Sequence, residues 1–276
     1  MKLLDGKALA AKMRAEIKEK IEKASIKPGL AVVIVGEDPA SKIYVRNKIK
    51  ACAEVGMRSF SYELPETVSQ KQLEDLLDGL ATSCEVHGIL LQLPLPKGLN
   101  AEAAMARIPT KKDVDGFSAE HLGLLVLNEQ QYAACTPSGV MELLKEANVD
   151  CRGKRAVVLG RSATVGKPMA LLLLNANATV TVCHSKTQDI AAVCKEADIL
   201  VSAIGKPKFV TADMVKEGAV VVDVGMNRDE NGKLCGDVDF ENVASKASYI
   251  TPVPGGVGPM TITMLLQNTC KAAWKE

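Results

Sequence analysis

Short apolar runs alternate with segments of helical period along nearly the whole chain, and no other feature restricts its fold so strongly. The runs are Leu30–Val35, Gly88–Gln92, Ala156–Leu159, Thr179–Val182, Asp198–Ser202 and Ala219–Asp223, with Tyr249-Ile250 a shorter one. A strand covered on both faces reads as a continuous apolar run, and strands that alternate with helices imply βαβ crossovers and a parallel sheet. The expected class is therefore α/β. Asp5 can cap a first helix whose stripe is Leu9, Met13, Ile17 and Ile21, ending near Lys27-Pro28-Gly29. Asp38-Pro39 places a cap before a first-turn proline and opens a second helix to about Val55. Ser69-Gln-Lys-Gln72 has the form of a capping box ahead of Leu73, Leu76, Leu77 and Leu80. A last helix is expected over roughly Pro259 to Ala273. After Thr136-Pro137-Ser138-Gly139 a second set of strands begins, so the pattern reads as two α/β domains.

Composition narrows the function. A net charge of +1 argues against a binder of phosphate backbones, and four Phe, four Tyr and one Trp give little surface for stacking bases. No apolar run approaches the ~18 residues that a membrane span needs. The N-terminus carries Asp5, Glu16 and Glu19 among its lysines, unlike a signal or transit peptide. The eight cysteines form no CxxC pair, and His87, His121 and His184 show no ligand spacing with them. The expectation is a cytoplasmic enzyme with reduced, mostly buried thiols and no metal, nucleic-acid or membrane partner.

The strand Ala156–Leu159 runs into Gly160-Arg161-Ser162-Ala163-Thr164-Val165-Gly166 and then a helix. Such a turn aims backbone N–H groups and a helix N-terminus at a pyrophosphate. The spacing is G-x-S-x-x-x-G, which meets the usual dinucleotide pattern only in part, and an ordinary glycine-bearing βα turn would look the same. The end of the next strand says more. An acid normally holds the ribose 2′-hydroxyl of NAD there, but Val182-Cys-His-Ser185-Lys-Thr187 has none before Asp189. Ser185, Lys186 and Arg161 instead offer donors and positive charge, which suits the 2′-phosphate of NADP. A solvated loop with Ser185 capping the next helix is the alternative. Gly205 and Gly225 follow two later strands, where glycine admits close approach of a cofactor or simply makes the turn.

In the first half, Tyr44 and Lys48 stand at i and i+4 on one helix face. Arg46 and Lys50 add positive potential nearby, and such neighbours together with desolvation favour a neutral amine able to move protons. A surface Tyr-Lys pair would show the same spacing. Gln92 ends an apolar strand, where a polar amide faces a ligand crevice or satisfies loop backbone. Lys111-Lys-Asp-Val-Asp-Gly116 puts two carboxylates in one turn, and Thr251-Pro-Val-Pro-Gly-Gly-Val-Gly-Pro-Met-Thr261 fixes a rigid loop ahead of a helix.

Five stretches, in order and spanning nearly the whole chain, resemble the bifunctional methylenetetrahydrofolate dehydrogenase/cyclohydrolase family. They are Tyr44-Val-Arg-Asn-Lys48-Ile-Lys50, Gln92-Leu-Pro-Leu95, Lys112-Asp-Val-Asp-Gly116, Gly160-Arg-Ser162 with Val165-Gly-Lys-Pro-Met169, and Pro252–Thr261. The resemblance implies a folate-holding α/β domain over 1–137 plus 257–276, a Rossmann-type NADP-binding domain over 138–256, and substrate in the cleft between them. It implies oxidation of 5,10-methylenetetrahydrofolate with NADP, then hydrolysis to 10-formyltetrahydrofolate. It gives Lys48 the proton handling, Gln92 the orientation of Lys48, Tyr44 a place against the substrate ring and Asp115 the anchoring of the pterin. Leu91 and Leu93, with Pro254, Gly255, Gly256, Gly258 and Thr261, line the folate pocket. Gly160, Arg161, Ser162 and Gly166 hold the pyrophosphate end of the cofactor, Ser185 its 2′-phosphate, and Gly205 and Met226 flank the nicotinamide side. A homodimer through the Rossmann-type domain is implied too. The length leaves no room for the synthetase domain that some members carry. The chain departs from the family at Thr164, where Ile is usual, and at Ala133-Ala134 before Cys135-Thr136, where Pro is usual. Two rival readings remain: another two-domain NADP-dependent dehydrogenase, such as one acting on a cyclic hydroxy acid, and a non-catalytic NADP or folate sensor.

Overall fold

The computed structural model describes residues 1–275, the side chain of Ala40 excepted. β1 (Lys2–Leu3) and α1 (Gly6–Lys23) lead to β2 (Gly29–Val35), α2 (Pro39–Val55), β3 (Arg58–Leu64), α3 (Gln70–Thr82) and β4 (Gly88–Leu91). Next come α4 (Ala101–Met105), α5 (Ala119–Leu127), α6 (Cys135–Glu146), β5 (Arg155–Leu159), α7 (Gly166–Asn175), β6 (Thr179–Cys183) and α8 (Ile190–Lys195). The remainder is β7 (Ile199–Ser202), β8 (Val220–Asp223), β9 (Asn227–Arg228), β10 (Leu234–Cys235), α9 (Phe240–Ala244), β11 (Tyr249–Ile250) and α10 (Val257–Trp274). Two compact units result. One holds a sheet of three strands and comprises Lys12–Leu124, Gln130–Cys135 and the chain from Ile262 onward. The other holds a sheet of six strands and comprises Met1–Ala11, Leu125–Glu129 and Thr136–Thr261.

In the three-stranded unit β2 is central, with β3 and β4 parallel on either side. Every residue of β2 is buried, because both faces are covered. Leu30, Val32 and Ile34 pack in one core with Ile17, Ile21, Val45, Val55 and Leu265. Ala31, Val33 and Val35 pack in the other with Leu73, Leu77, Leu80 and Ile89. Each fully buried Leu or Ile here contributes about 1.5–3 kcal/mol by leaving water. α3 starts with the expected capping box, Ser69 and Gln72 satisfying each other's backbone. β3 is a strand that the apolar pattern does not announce. It lies at the sheet edge, and its side chains alternate between exposed and half-buried, with Arg58, Ser59, Ser61 and Glu63 among them.

In the six-stranded unit all neighbours pair in parallel, in the order β1-β11-β8-β7-β5-β6. From β5 the chain first adds β6 on one side and then β7 and β8 on the other. The chain therefore leaves β5 and β7 toward opposite sides of the sheet, which makes the ends of these two neighbouring strands a topological switch point, where open α/β sheets bind ligands. The core beneath contains Leu159, Leu200, Val221, Val243 and Ile250. All eight cysteines are free thiols, six of them buried, with Cys84 exposed and Cys235 between.

Candidate active site and cofactor loops

In the three-stranded unit the candidate residues gather at the carboxyl end of the sheet. Asp38 caps α2 by accepting from the Ser41 amide at 2.7 Å, and Pro39 begins the helix. α2 buries Val45, Ala51, Cys52 and Val55 against the core. That orientation leaves Tyr44 and Lys48 half-buried, one turn apart, while Arg46 and Lys50 are exposed. Burial raises the Tyr44 phenol. Gln92 follows β4 directly, its amide N–H donating to Val33 O at 2.8 Å. Lys48 Nζ donates to Gln92 Oε1 at 3.1 Å, and Gln92 Nε2 donates to Leu93 O at 2.7 Å. The second bond fixes which face of the amide Lys48 meets. Leu91 is buried beneath, and Leu93 is half-buried.

Asp115 is half-buried within electrostatic reach of Lys48. Burial pushes its carboxyl up, the positive charge of Lys48 opposes the rise, the nearby Asp113 carboxylate adds to it, and the neighbouring Cys135 thiol lowers it. The turn that presents Asp115 is built by Asp113, a residue whose part the sequence does not disclose. Asp113 accepts from the amides of Gly116 at 3.2 Å and Ser118 at 2.7 Å, and lies 3.1 Å from His121 Nδ1. Burial works to raise Asp113, but His121 and the amides of Ser118 and Phe117 hold it below the ordinary carboxylate range. His121 stacks at a tilt on Tyr132, 4.7 Å between ring centres. On the other side, Cys135 Sγ donates to Val114 O at 3.3 Å, and Asn268 Nδ2 donates to the same carbonyl at 2.9 Å. Cys135 and Asn268 were likewise not legible in the sequence, since each acquires its partner only when distant segments meet.

In the six-stranded unit the turn after β5 and the turn after β6 lie side by side, because Leu159 and Cys183 are in register. Gly160 has φ +115°, and a Cβ there would come within 2.4 Å of the Ala203 carbonyl. Glycine thus lets the loops after β5 and β7 meet backbone to backbone at the switch point. Ser162 Oγ accepts from the amides of Val165 and Gly166, both at 3.2 Å, shaping the start of α7. Arg161, Ser162, Ser185 and Lys186 are exposed. The turn at 184–187 is closed by His184 N donating to Thr187 Oγ1 at 2.9 Å, and no carboxylate stands in it. Exposed donors and a guanidinium around a helix N-terminus fit an anionic dinucleotide with an additional ribose phosphate. Gly205 and Met226 are exposed on the loops after β7 and β8. A Cβ on Gly258 would come within 3.3 Å of Met226 Cε, so Met226 lies against the loop that opens α10. In that loop Pro254 is exposed, Gly255 half-buried and Gly256 buried, and Thr261 Oγ1 lies 3.0 Å from Thr136 Oγ1.

Residues 4–115 match the tetrahydrofolate dehydrogenase/cyclohydrolase catalytic domain, and residues 134–276 match the NAD(P)-binding domain of the same family. The chain belongs to the tetrahydrofolate dehydrogenase/cyclohydrolase family. Among its relatives in this family, the bifunctional protein FolD of Moorella thermoacetica is 56% identical over 274 residues, covering 98% of each chain. The crystal structure of the bifunctional FolD methylenetetrahydrofolate dehydrogenase/cyclohydrolase of Campylobacter jejuni has a TM-score of 0.97 at 51% identity, covering 100% of this chain and 99% of that one. The FolD of Trypanosoma brucei, solved with NADP cofactor and an inhibitor, has a TM-score of 0.93 at 43% identity over 98% and 96% of the two chains. The family membership and two-domain α/β fold expected from the motifs are thus borne out.

Proposed function

We propose that this chain is a bifunctional one-carbon folate enzyme. It oxidises 5,10-methylenetetrahydrofolate with NADP and hydrolyses the methenyl product to 10-formyltetrahydrofolate. The observation that carries the reading is the Lys48–Gln92 hydrogen bond with Asp115 in electrostatic reach, in a chain whose two halves both match this family. The folate-holding part is assigned to 1–137 with 257–276, and the Rossmann-type part to 138–256.

NADP, when bound, supplies the hydride acceptor for the oxidation, and the protein's task in that step is positioning. Gly160, Arg161, Ser162 and Gly166 hold the pyrophosphate end and Ser185 the 2′-phosphate. Gly205 and Met226 border the nicotinamide side. Tyr44 lies on the substrate ring. Leu91, Leu93, Pro254, Gly255, Gly256, Gly258 and Thr261 line the folate site, and Asp115 anchors the pterin. Hydrolysis is where side-chain chemistry enters. The oxygen of water bonds to the bridging methenyl carbon, and one of its protons passes to Lys48 Nζ, which acts in this step as the free amine. The hydroxyl so formed then gives its remaining proton to solvent and closes to the carbonyl as the bond from that carbon to N5 breaks, and N5 takes back the proton held by Lys48, leaving the formyl group on N10. Net, one water is consumed and one proton released. Gln92 keeps the amine aimed at the carbon throughout.

The rival dehydrogenase reading leaves the catalytic-domain match and the Pro254–Thr261 loop without a role. A sensor would have no need of the Lys48–Gln92 pair. One assay tests all three: protein, NADP+ and methylenetetrahydrofolate are mixed, and NADPH and methenyl absorbance are followed. Growth of both, with separately supplied methenyl substrate disappearing, supports the bifunctional enzyme. Silence in both overturns it.

We also assign the chain a cytoplasmic location and a homodimeric state through the Rossmann-type part. Eight free thiols support the first. For the second, β6 is an edge strand with Val182 exposed, and Leu174 is an exposed apolar residue of the same part. Sedimentation of the purified protein reads the state directly, and a concentration-independent monomer would exclude it.

A further inference from the structure

We infer that Asp237 is a positioning residue for the cofactor, acting through the loops after β7 and β8; the inference rests on the NADP reading above. Its carboxylate is fully buried and collects five donors. Oδ2 accepts from Ser202 Oγ at 3.1 Å and from the amides of Ile204 at 2.8 Å and Gly205 at 3.3 Å. Oδ1 accepts from the Lys206 amide at 2.9 Å and Asn227 Nδ2 at 2.9 Å. Three consecutive amides of the loop after β7 and the side chain of Asn227, which ends the loop after β8 and begins β9, therefore point at a single charge. Those loops carry Gly205 and Met226, the residues assigned to the nicotinamide side.

Asp237 is itself held by a second buried carboxylate. Asp223, the last residue of β8, accepts from the amides of Gly225 and Asp237, both at 2.9 Å, and of Val238 at 2.8 Å. The packing is close enough to dictate two glycines. A Cβ on Gly225 would lie 2.2 Å from Asp237 Oδ1, and one on Gly236 would lie 1.8 Å from Asp223 Oδ2. Strand ends are ordinarily tied by neighbouring strands. Here the loops beyond the strands, at the carboxyl edge of the sheet, are tied to each other by side-chain charge. A buried charge is expensive unless fully hydrogen-bonded, and Asp237 is so satisfied by groups from both loops. Preorganised loops spare the cofactor the ordering of backbone on binding.

Asparagine at this position keeps the shape but has one acceptor oxygen, so at least one set of donors loses its partner. Asp237→Asn should raise the NADP+ dissociation constant about 10–100-fold, the range for hydrogen bonds to a charged group. It should also speed amide exchange at Ile204, Gly205 and Lys206 in the cofactor-free protein. Hydrolysis of supplied methenyltetrahydrofolate, which uses no nicotinamide, should stay within about twofold of wild type. Asn227→Ala, which removes a single donor, should move NADP+ binding in the same direction by less. The two changes together should fall short of the sum of their effects in free-energy terms. NADP+ binding is measured by titration calorimetry and exchange by mass spectrometry. Unchanged NADP+ binding in the variants, or parallel loss of hydrolysis and cofactor binding, overturns the inference. Should Asp237→Asn fail to fold, Asn227→Ala is judged by the same two criteria. If the wild type itself does not bind NADP+, the cofactor reading fails instead.

Discussion

The two units solve the same problem with opposite materials. Each is a parallel sheet in which the central strand sends the chain first to one side and then to the other, and each gathers its candidate residues at the carboxyl ends of the strands. In the three-stranded unit the candidate groups are side chains: Lys48 and Tyr44 from α2, Gln92 after β4, and Asp115 on a turn propped by Asp113 and Cys135. In the six-stranded unit they are largely backbone: the turn after β5, shaped by Ser162, and the loops after β7 and β8, drawn together by Asp237. Proton transfer needs a titratable group at one point. Binding a long anionic cofactor needs many donors spread along it. The difference in chemistry accounts for the difference in construction.

The sharpest way to break that contrast is Lys48→Met. If one side chain carries proton transfer, methenyl hydrolysis should fall by about 10²–10⁴-fold, the span of general acid–base catalysis. NADP+ binding should stay unchanged because the six-stranded unit is untouched. Measuring hydrolysis with supplied methenyl substrate and cofactor binding by calorimetry tests both halves of the claim. Full hydrolysis in the variant would remove Lys48 from the mechanism.

The cofactor side should respond more gradually, because its donors share the load. Arg161→Ala combined with Ser185→Ala should raise the KM for NADP+ by about 10–100-fold through lost charge-assisted hydrogen bonds, and that for NAD+ far less. An equal change in both would contradict the 2′-phosphate assignment. So would a loss of hydrolysis to match.

How much of this was readable beforehand follows the same division. Tyr44 and Lys48 were legible because i, i+4 spacing on a helix is local, and the α3 cap because Ser69 and Gln72 are three residues apart. β2 and β4 were legible because burial on both faces leaves an unbroken apolar run. β3 was not, since an edge strand with Arg58 and Glu63 on it has no such run. Asp223 and Asp237 were not, since an aspartate's worth here depends on amides between 204 and 238 that only folding assembles. A usable signal did exist: an acid that closes an apolar strand, followed two residues later by glycine, as in Asp223-Val-Gly225.

Asp223 supplies a pH test confined to the six-stranded unit. Burial lifts its carboxyl to about 6, against the pull of the Asp237, Val238 and Gly225 amides and with the Asp237 charge adding to the rise. Because the folded value lies above the unfolded one, this group's stabilising contribution is complete below the ordinary aspartate range. It is lost as pH rises through about 6. Relative to Asp223→Asn, the wild type should therefore lose on the order of 2 kcal/mol between pH 4 and pH 7, read from urea melts at each pH. A difference that grows over that interval would reverse the sign and remove the argument.

The smallest expected effect separates a serine that serves the fold from one that serves the ligand. Ser69 and Ser162 both accept from amides at a helix start, yet α3 is closed by a reciprocal capping box, whereas α7 (Gly166–Asn175) has Val165 at its N-cap with no side-chain cap of that residue's own. Ser69→Ala should cost about 1 kcal/mol of stability, the usual value of an N-cap, with both activities and the NADP+ KM unchanged. Ser162→Ala should lower stability by a similar or smaller amount but raise the NADP+ KM, because the hydroxyl that the Val165 and Gly166 amides hold at the start of α7 is itself assigned to the pyrophosphate end. Paired urea melts and steady-state kinetics on the two variants decide it. If both serines moved only stability, the turn after β5 would be an ordinary helix start, and the backbone half of the contrast would lose its footing.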